Sequence, residues 1–251
     1  MVDDSEKLLT SFESRLWILT KKPQREDDWI NNDDDITINN NGERYFNITS
    51  DEFFSNIFSS INVLSKVELE TAQETGDLYG PIWVTATVIF ILFFSNTGAH
   101  KLNNWLSGSD ESYEYDFALF TGAISLLYGY TVVIPIFLYV VSVFYFKLIG
   151  FLSLTKIVSI YGYANSVWAP AAILAMFRGF FSNGFISSVI LWAAVLIGGG
   201  ISGAAILSKL YPIIRNAAVA SDNGKLKTIY LVVLILAHIG FTIGVRSILI
   251  L

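Results

Sequence analysis

The sequence predicts an all-α protein, a polytopic membrane bundle of five transmembrane spans behind an acidic N-terminal head. Three observations carry that prediction. The 251 residues are 53% hydrophobic and only 15% charged, with a mean hydropathy of +0.53, where soluble chains carry about 25% charged residues. The charge is unevenly placed: residues 1–81 hold 7 Lys/Arg and 17 Asp/Glu, a net of −10, and residues 82–251 hold 9 and 5, a net of +4. Finally, several apolar runs reach the roughly 20 residues needed to cross about 30 Å of hydrocarbon. The boundary falls near residue 76, dividing an N-terminal region, 1–76, from a membrane domain, 77–251.

In the head, residues 21–49 are rich in Asn, Asp and Lys, including Asp33-Asp34-Asp35. Such a stretch buries too little apolar surface to offset chain entropy and is expected to be disordered. A helix is expected over 50–64, capped by Ser50 or Asp51, with Phe54, Ile57, Phe58, Ile61 and Leu64 on one face. It reads as a docking helix for a partner or for the chain's own bundle. Asp51 and Glu52, with no Lys or Arg on the polar face, argue against an electrostatic membrane-surface helix.

Five spans follow, near 82–99, 119–144, 157–177, 185–207 and 228–245. The uncharged run Phe117–Phe146 is too short for two spans and a turn, so it is read as one helix, tilted or kinked around Pro135. Gly162 and Pro170 weaken the backbone ladder of the third span, and Asn165 is placed to donate to a freed carbonyl. With the head cytosolic, the cytosolic loops hold Lys147, Lys156, Lys209, Arg215, Lys225 and Lys227, against Lys101, Arg178 and Arg246 on the other side. That bias sets the expectation of a cytosolic N-terminus and a lumenal C-terminus. The first 81 residues show no apolar run that would serve as a leader, and the sequon Asn47-Ile48-Thr49 should remain bare.

Composition excludes several functions. A net-acidic chain is no nucleic-acid binder of the basic-surface type. The absence of Cys removes disulfides, thiolate catalysis and Cys-ligated metals; no cofactor is implied. After Asp116 the one acidic residue is Asp222, so the intramembrane carboxylate usual in ion-coupled transporters is missing. Gly199-xxx-Gly203 and Gly240-xxx-Gly244 are helix-packing candidates, for spans four and five or for an oligomer. His238 lies within the fifth span, and a neutral imidazole bonded to a neighbouring helix is the favoured reading. Gly200-Ile-Ser202-Gly203 and the segment around His238 resemble the Ser and His segments of rhomboid intramembrane proteases. Helix ends near 207 and 228 would put Ser202 about 8 Å deep and His238 about 15 Å, a poor match for catalysis.

Two motifs remain. Asp77-Leu78-Tyr79-Gly80-Pro81 stands just before the first span, and Tyr161-Gly162-Tyr163, with Pro170 after six intervening residues, lies in the third. In order, spacing and span layout they resemble the Yip-domain family of Golgi and early-secretory membrane proteins that interact with Ypt/Rab GTPases. The resemblance covers roughly residues 75–245. It implies a non-enzymatic scaffold of vesicle-mediated transport, resident in Golgi membranes and cycling with the endoplasmic reticulum and transport vesicles. The implied partners are Rab/Ypt small GTPases and other Yip- or Yif-type membrane proteins, in a homo- or hetero-oligomer within the lipid bilayer. The family signature falls on Asp77, Leu78, Tyr79, Gly80, Pro81, Tyr161, Gly162, Tyr163 and Pro170. A passive channel or lipid-handling protein built on the Gly- and Pro-broken spans is the alternative from a different class.

Overall fold

Thr49 and Glu52 open the first substantial helix with a reciprocal capping box. Thr49 Oγ1 accepts from the Glu52 N–H, and the Glu52 carboxylate accepts from the Thr49 N–H at 2.9 Å. The expected cap at Ser50 or Asp51 is therefore one or two residues late: Thr49-x-x-Glu52 satisfies two orphan donors at once, which neither alternative does. The computed structural model describes residues 43–64, 76–108, 117–146, 153–181, 183–221 and 224–250, and no strand occurs among them. The disorder expected for residues 21–42 lies outside this range, while Glu43–Phe46 (α1) forms a helical turn. The capped helix is α2, Ser50–Ile61.

Five helices are long and apolar enough to cross a membrane. The first span is α3, Tyr79–Ser107, ended by Gly108 at φ 67, a left-handed position that favours glycine. The second is α4, Phe117–Val140, continued by a π turn at Val141–Tyr145. It runs through Pro135, and the irregularity comes six residues later than expected, where the Leu138 carbonyl accepts from Ser142 and Tyr230 hydroxyls. The third span joins α5 (Leu154–Ala164) to α6 (Trp168–Met176) through a tight 3₁₀ turn at Asn165–Val167, and ends in another at Phe177–Phe180. The tightening falls just ahead of Pro170, which has no N–H to offer the ladder. The fourth and fifth are α7, Gly184–Ala220, and α8, Gly224–Ile250. At 37 residues, α7 is about 55 Å long and continues well past the end expected at 207. Its Lys209, Tyr211 and Pro212 belong to helix, not loop.

The third span lies at the centre. Two thirds of its apolar stretch (67%) is buried, against 28% and 22% for the second and fifth, which leave broad faces to lipid. Spans one and three run parallel in close contact. Gly80 meets Tyr163, Gly162 meets Pro81, Gly98 meets Met176 and Gly179 meets Ala99, and the Ser95 hydroxyl donates to the Ala172 carbonyl. Asn165 corrects an expectation. Its amide donates to the Thr131 hydroxyl at 2.7 Å and to Thr85 at 3.4 Å, not to a carbonyl. Both hydroxyls come from neighbouring spans, so the residue links spans one, two and three.

Candidate functional site

The end of the bundle where α2 sits, here the head side, brings the two motifs into one cluster. Asp77 precedes α3, and its Oδ1 accepts from the Gly80 N–H at 2.9 Å, capping the first turn of the span. The same oxygen accepts from the Tyr163 hydroxyl at 3.0 Å, and Oδ2 accepts from Ser159 at 3.4 Å. Ser159 and Tyr163 are four residues apart on α5 and so share one face. Small residues make the approach possible. A Cβ on Gly80 would collide with the Tyr163 ring, and one on Gly162 would collide with Pro81. Gly76 N–H donates to Thr155 at 3.2 Å, and Leu78 N–H to the Tyr45 carbonyl at 2.9 Å. Asp77, Gly80 and Pro81 thus meet Gly162 and Tyr163 directly, with Leu78 and Tyr79 beside them in the chain. Tyr161 lies deeper in the core against Tyr130, with ring centroids 5.1 Å apart. Pro170 is exposed and stands apart.

Helix α2 lies over this cluster. Phe53 packs between Tyr79 (5.8 Å) and Tyr163 (6.0 Å), and Asn56 reaches the Tyr163 hydroxyl at 3.5 Å. At its C-terminal end the buried Lys209 of α7 donates to the Asn62 carbonyl at 3.5 Å, a cation placed where the helix dipole is negative. The face turned to the bundle therefore runs through Phe53, Asn56, Ile57 and Ser60. The expected stripe is corrected in part: Phe54, Phe58 and Leu64 are exposed, because two adjacent apolar stripes fit the same 3.6-residue period. At the solvent end of α2, the capping hydrogen bonds from Thr49 hold the Glu52 carboxyl below its ordinary pKa.

A second cluster lies in mid-bundle. His238 Nε2 is 2.7 Å from the Gly199 carbonyl and Nδ1 is 2.7 Å from the Tyr130 hydroxyl. A carbonyl only accepts, so Nε2 carries the proton and Nδ1 accepts from Tyr130. Ser202 Oγ is 3.5 Å from Nε2 but donates to the Gly198 carbonyl at 2.7 Å. The depth argument fails here: α7 does not end at 207, and the two side chains do meet. The geometry still opposes hydrolysis, because a nucleophile needs an imidazole nitrogen free to take its proton. Nε2 faces the serine with its proton already committed.

The packing glycines divide. Gly199 lies against Thr242, Gly203 against His238 and Gly244 against Leu126, whereas Gly240 opens outward with no neighbour within 4 Å. Away from the head side, Arg246 covers the Trp192 ring at 4.2 Å. Sequence reasoning passed over Asn56, Phe53 and Ser159. Of these, Ser159 was recoverable, since it stands one helical turn before Tyr163.

The fold and its buried polar ties define a multi-pass α-helical membrane protein. Protein YIP5 of Schizosaccharomyces pombe is similar at 34% identity over 151 residues, 59% of this chain and 57% of the relative. Protein YIP5 of Saccharomyces cerevisiae is 25% identical over 213 residues, 82% of this chain and 68% of the relative. A YIPF1 homolog of Dictyostelium discoideum is 26% identical over 202 residues, 80% of this chain and 52% of the relative. The chain thus spans between about half and about two thirds of the length of these curated relatives. No family model and no solved structure matches it. These relatives, with the five apolar spans, support a member of the YIP/YIPF family.

Proposed function

We propose that the chain is a non-enzymatic scaffold of vesicle-mediated transport in Golgi and early-secretory membranes, with its N-terminus cytosolic and its C-terminus lumenal. In this reading the head side receives Rab/Ypt-type GTPases, and the spans pair with other Yip- or Yif-type proteins. Beside the family resemblance, one observation supports it: the Asp77 carboxylate of the first motif is spent on binding the second. Asp77 takes up Gly80, Ser159 and Tyr163, so it fixes a surface under α2 and is not arranged to react. A scaffold needs such a surface; an enzyme would need one of these groups free.

The test is direct binding. The full chain in mild detergent is mixed with purified prenylated Rab-type GTPases, beside an Asp77→Asn variant whose unfolding midpoint is measured in parallel. Retention by wild type, weakened in the variant, is expected. A wild-type chain that retains no GTPase sinks the reading. Protease applied outside intact vesicles should remove the head and spare the tail, and the reverse would invert the orientation.

A further inference from the structure

Past the apolar core on the head side, α7 and α8 carry a run of cations. Residues 208–227 hold Lys209, Arg215, Lys225 and Lys227 against one acid, Asp222, which lies outside the described residues. Lys209 is buried beneath α2 and committed there. The other three differ in where they stand. At about 100° per residue, Arg215 points in line with the exposed Ile197 and Ile201 of α7, while Ile206, Leu210, Ile213 and Ala217 take the opposite, buried side. Tyr211, 38% exposed, is turned about 40° from that line, toward α8. Tyr211 and Arg215 therefore occupy the lipid-facing seam between spans four and five. From α8 the Lys227 ammonium lies over the Tyr211 ring, 5.1 Å from its centroid, and Arg215 is close enough to act on the same hydroxyl.

The bias of basic residues toward one face of the membrane accounts for cations on this side. It does not account for two of them, from different helices, gathering on one tyrosine, where like charges repel. From Leu78 onward no described residue is acidic, so no described carboxylate of the bundle beyond Asp77 offsets that repulsion, and Asp77 is spent on Gly80, Ser159 and Tyr163.

Helix register sets the height of the cluster. Gly199 meets Thr242 and Gly203 meets His238, so four residues along α7 match four back along α8. Two further steps bring Tyr211 level with Tyr230. The Tyr230 ring is 5.6 Å from Phe146, at the head-side end of the second span. Beside it Phe144 and Tyr145 are exposed, aromatic residues of the kind that mark a bilayer interface. Arg215 is one turn, about 6 Å, further out than Tyr211, and Lys227 is about 4.5 Å beyond Tyr230. Both cations thus stand at headgroup height. A guanidinium fork, an ammonium and a phenol hydroxyl all donate to phosphate oxygens. Two cations match a phosphomonoester, with its roughly 1.5–2 negative charges at neutral pH, better than they match the single charge of a phosphodiester.

We propose that Tyr211, Arg215 and Lys227 form a site for a phosphomonoester group on a lipid headgroup of the head-side leaflet. This stands apart from the GTPase reading and does not depend on which face of the membrane is cytosolic.

The full chain in neutral detergent is titrated calorimetrically with a dioctanoyl phosphatidylinositol monophosphate, with dioctanoyl phosphatidylinositol, and with the phosphorylated headgroup lacking acyl chains. The first should bind at least about fivefold more tightly than either of the others. Arg215→Gln and Lys227→Gln should each weaken that binding about fivefold, the effect of one cation near a membrane surface. Lys225→Gln removes an equal charge outside the cluster and should cost less than about twofold. Tyr211→Phe keeps the ring and should weaken binding more than Lys225→Gln does; it serves as the readout if a charge variant shows a lowered unfolding midpoint. Equal losses at 225 and 227 would make the attraction diffuse and overturn the site, as would variants that bind like wild type. Phosphatidylinositol binding as tightly as its monophosphate overturns the monoester, and the free headgroup binding as tightly as the lipid overturns the lipid.

Discussion

Gly162→Ala is the sharpest probe of the interlocked motifs, because its Cβ has nowhere to go. Built on the backbone, that atom lies 2.5 Å from Pro81 Cβ and 2.7 Å from Pro81 Cγ, where carbon atoms prefer about 3.5–4.0 Å. Pro81 is held in the first turn of α3, so relief needs the third span to move off the first by about 1 Å. That shift also stretches the 3.0 Å bond from Tyr163 to Asp77. Overpacking of this kind costs about 1–3 kcal/mol. Against it stands the helix-propensity gain of Ala over Gly, at most about 1 kcal/mol, so the net is destabilising by roughly 1–2 kcal/mol, about tenfold in the unfolding constant. Span two carries the matched control. Gly129 sits in the same Tyr-Gly-Tyr pattern with nothing within 4 Å of its Cβ, so Gly129→Ala should be neutral or slightly stabilising. Reversible unfolding in mixed detergent micelles reads both. If the two variants unfold at the same denaturant fraction, the close contact of spans one and three is wrong.

Tyr163→Phe keeps the ring and loses the donor to half-buried Asp77, so it should cost about 1 kcal/mol. A double-mutant cycle with Asp77→Asn should show coupling in the same unfolding assay, and additive losses would mean that the two groups do not bond. His238→Ala should destabilise the bundle by about 0.6–1.7 kcal/mol, the range of intramembrane hydrogen bonds, while Ser202→Ala changes little. Labelling of Ser202 by a fluorophosphonate would contradict the protonation assigned to His238. The Glu52 pKa is depressed in the folded protein, so its capping contribution is complete above the ordinary glutamate range of about 4.3 and is lost as pH falls through the lowered value. Amide exchange across α2 should therefore quicken in acid, and Glu52→Gln, which can still close the capping box, should remove that pH dependence.

Hydropathy made the five spans legible, because every long uncharged run has to leave water. The far end of α7 was not legible for the same reason. Lys209, Tyr211, Pro212 and Arg215 look like a loop until Lys209 is seen to be buried beneath the C-terminal end of α2. That one misplaced helix end also produced the false depth mismatch between Ser202 and His238. Both motifs were visible as helix punctuation, and the family resemblance followed from them. Their meeting was not visible, since 86 residues separate Asp77 from Tyr163 and no local pattern encodes so distant a contact. The covered face of α2 was ambiguous on physical grounds. Phe53 and Phe54 head adjacent stripes with the same period, and only the position of Tyr79 selects between them.

The polar groups of the bundle form tiers that account for its architecture. Lipid offers helices no hydrophobic reason to associate, so packing of small residues and interhelical hydrogen bonds must hold them. At the head side Asp77 ties the start of span one to span three. Deeper, Asn165 ties span three to Thr131 of span two and Thr85 of span one, and His238 ties span five to Tyr130 of span two and Gly199 of span four. Each tie joins spans that a hinge motion would have to separate, so the five helices should move as one body. By contrast, α2 reaches the bundle through polar contacts at 3.5 Å and through the Phe53 and Ile57 side chains. Its departure would break fewer close ties than that of any span, and would uncover Tyr163 and Tyr79.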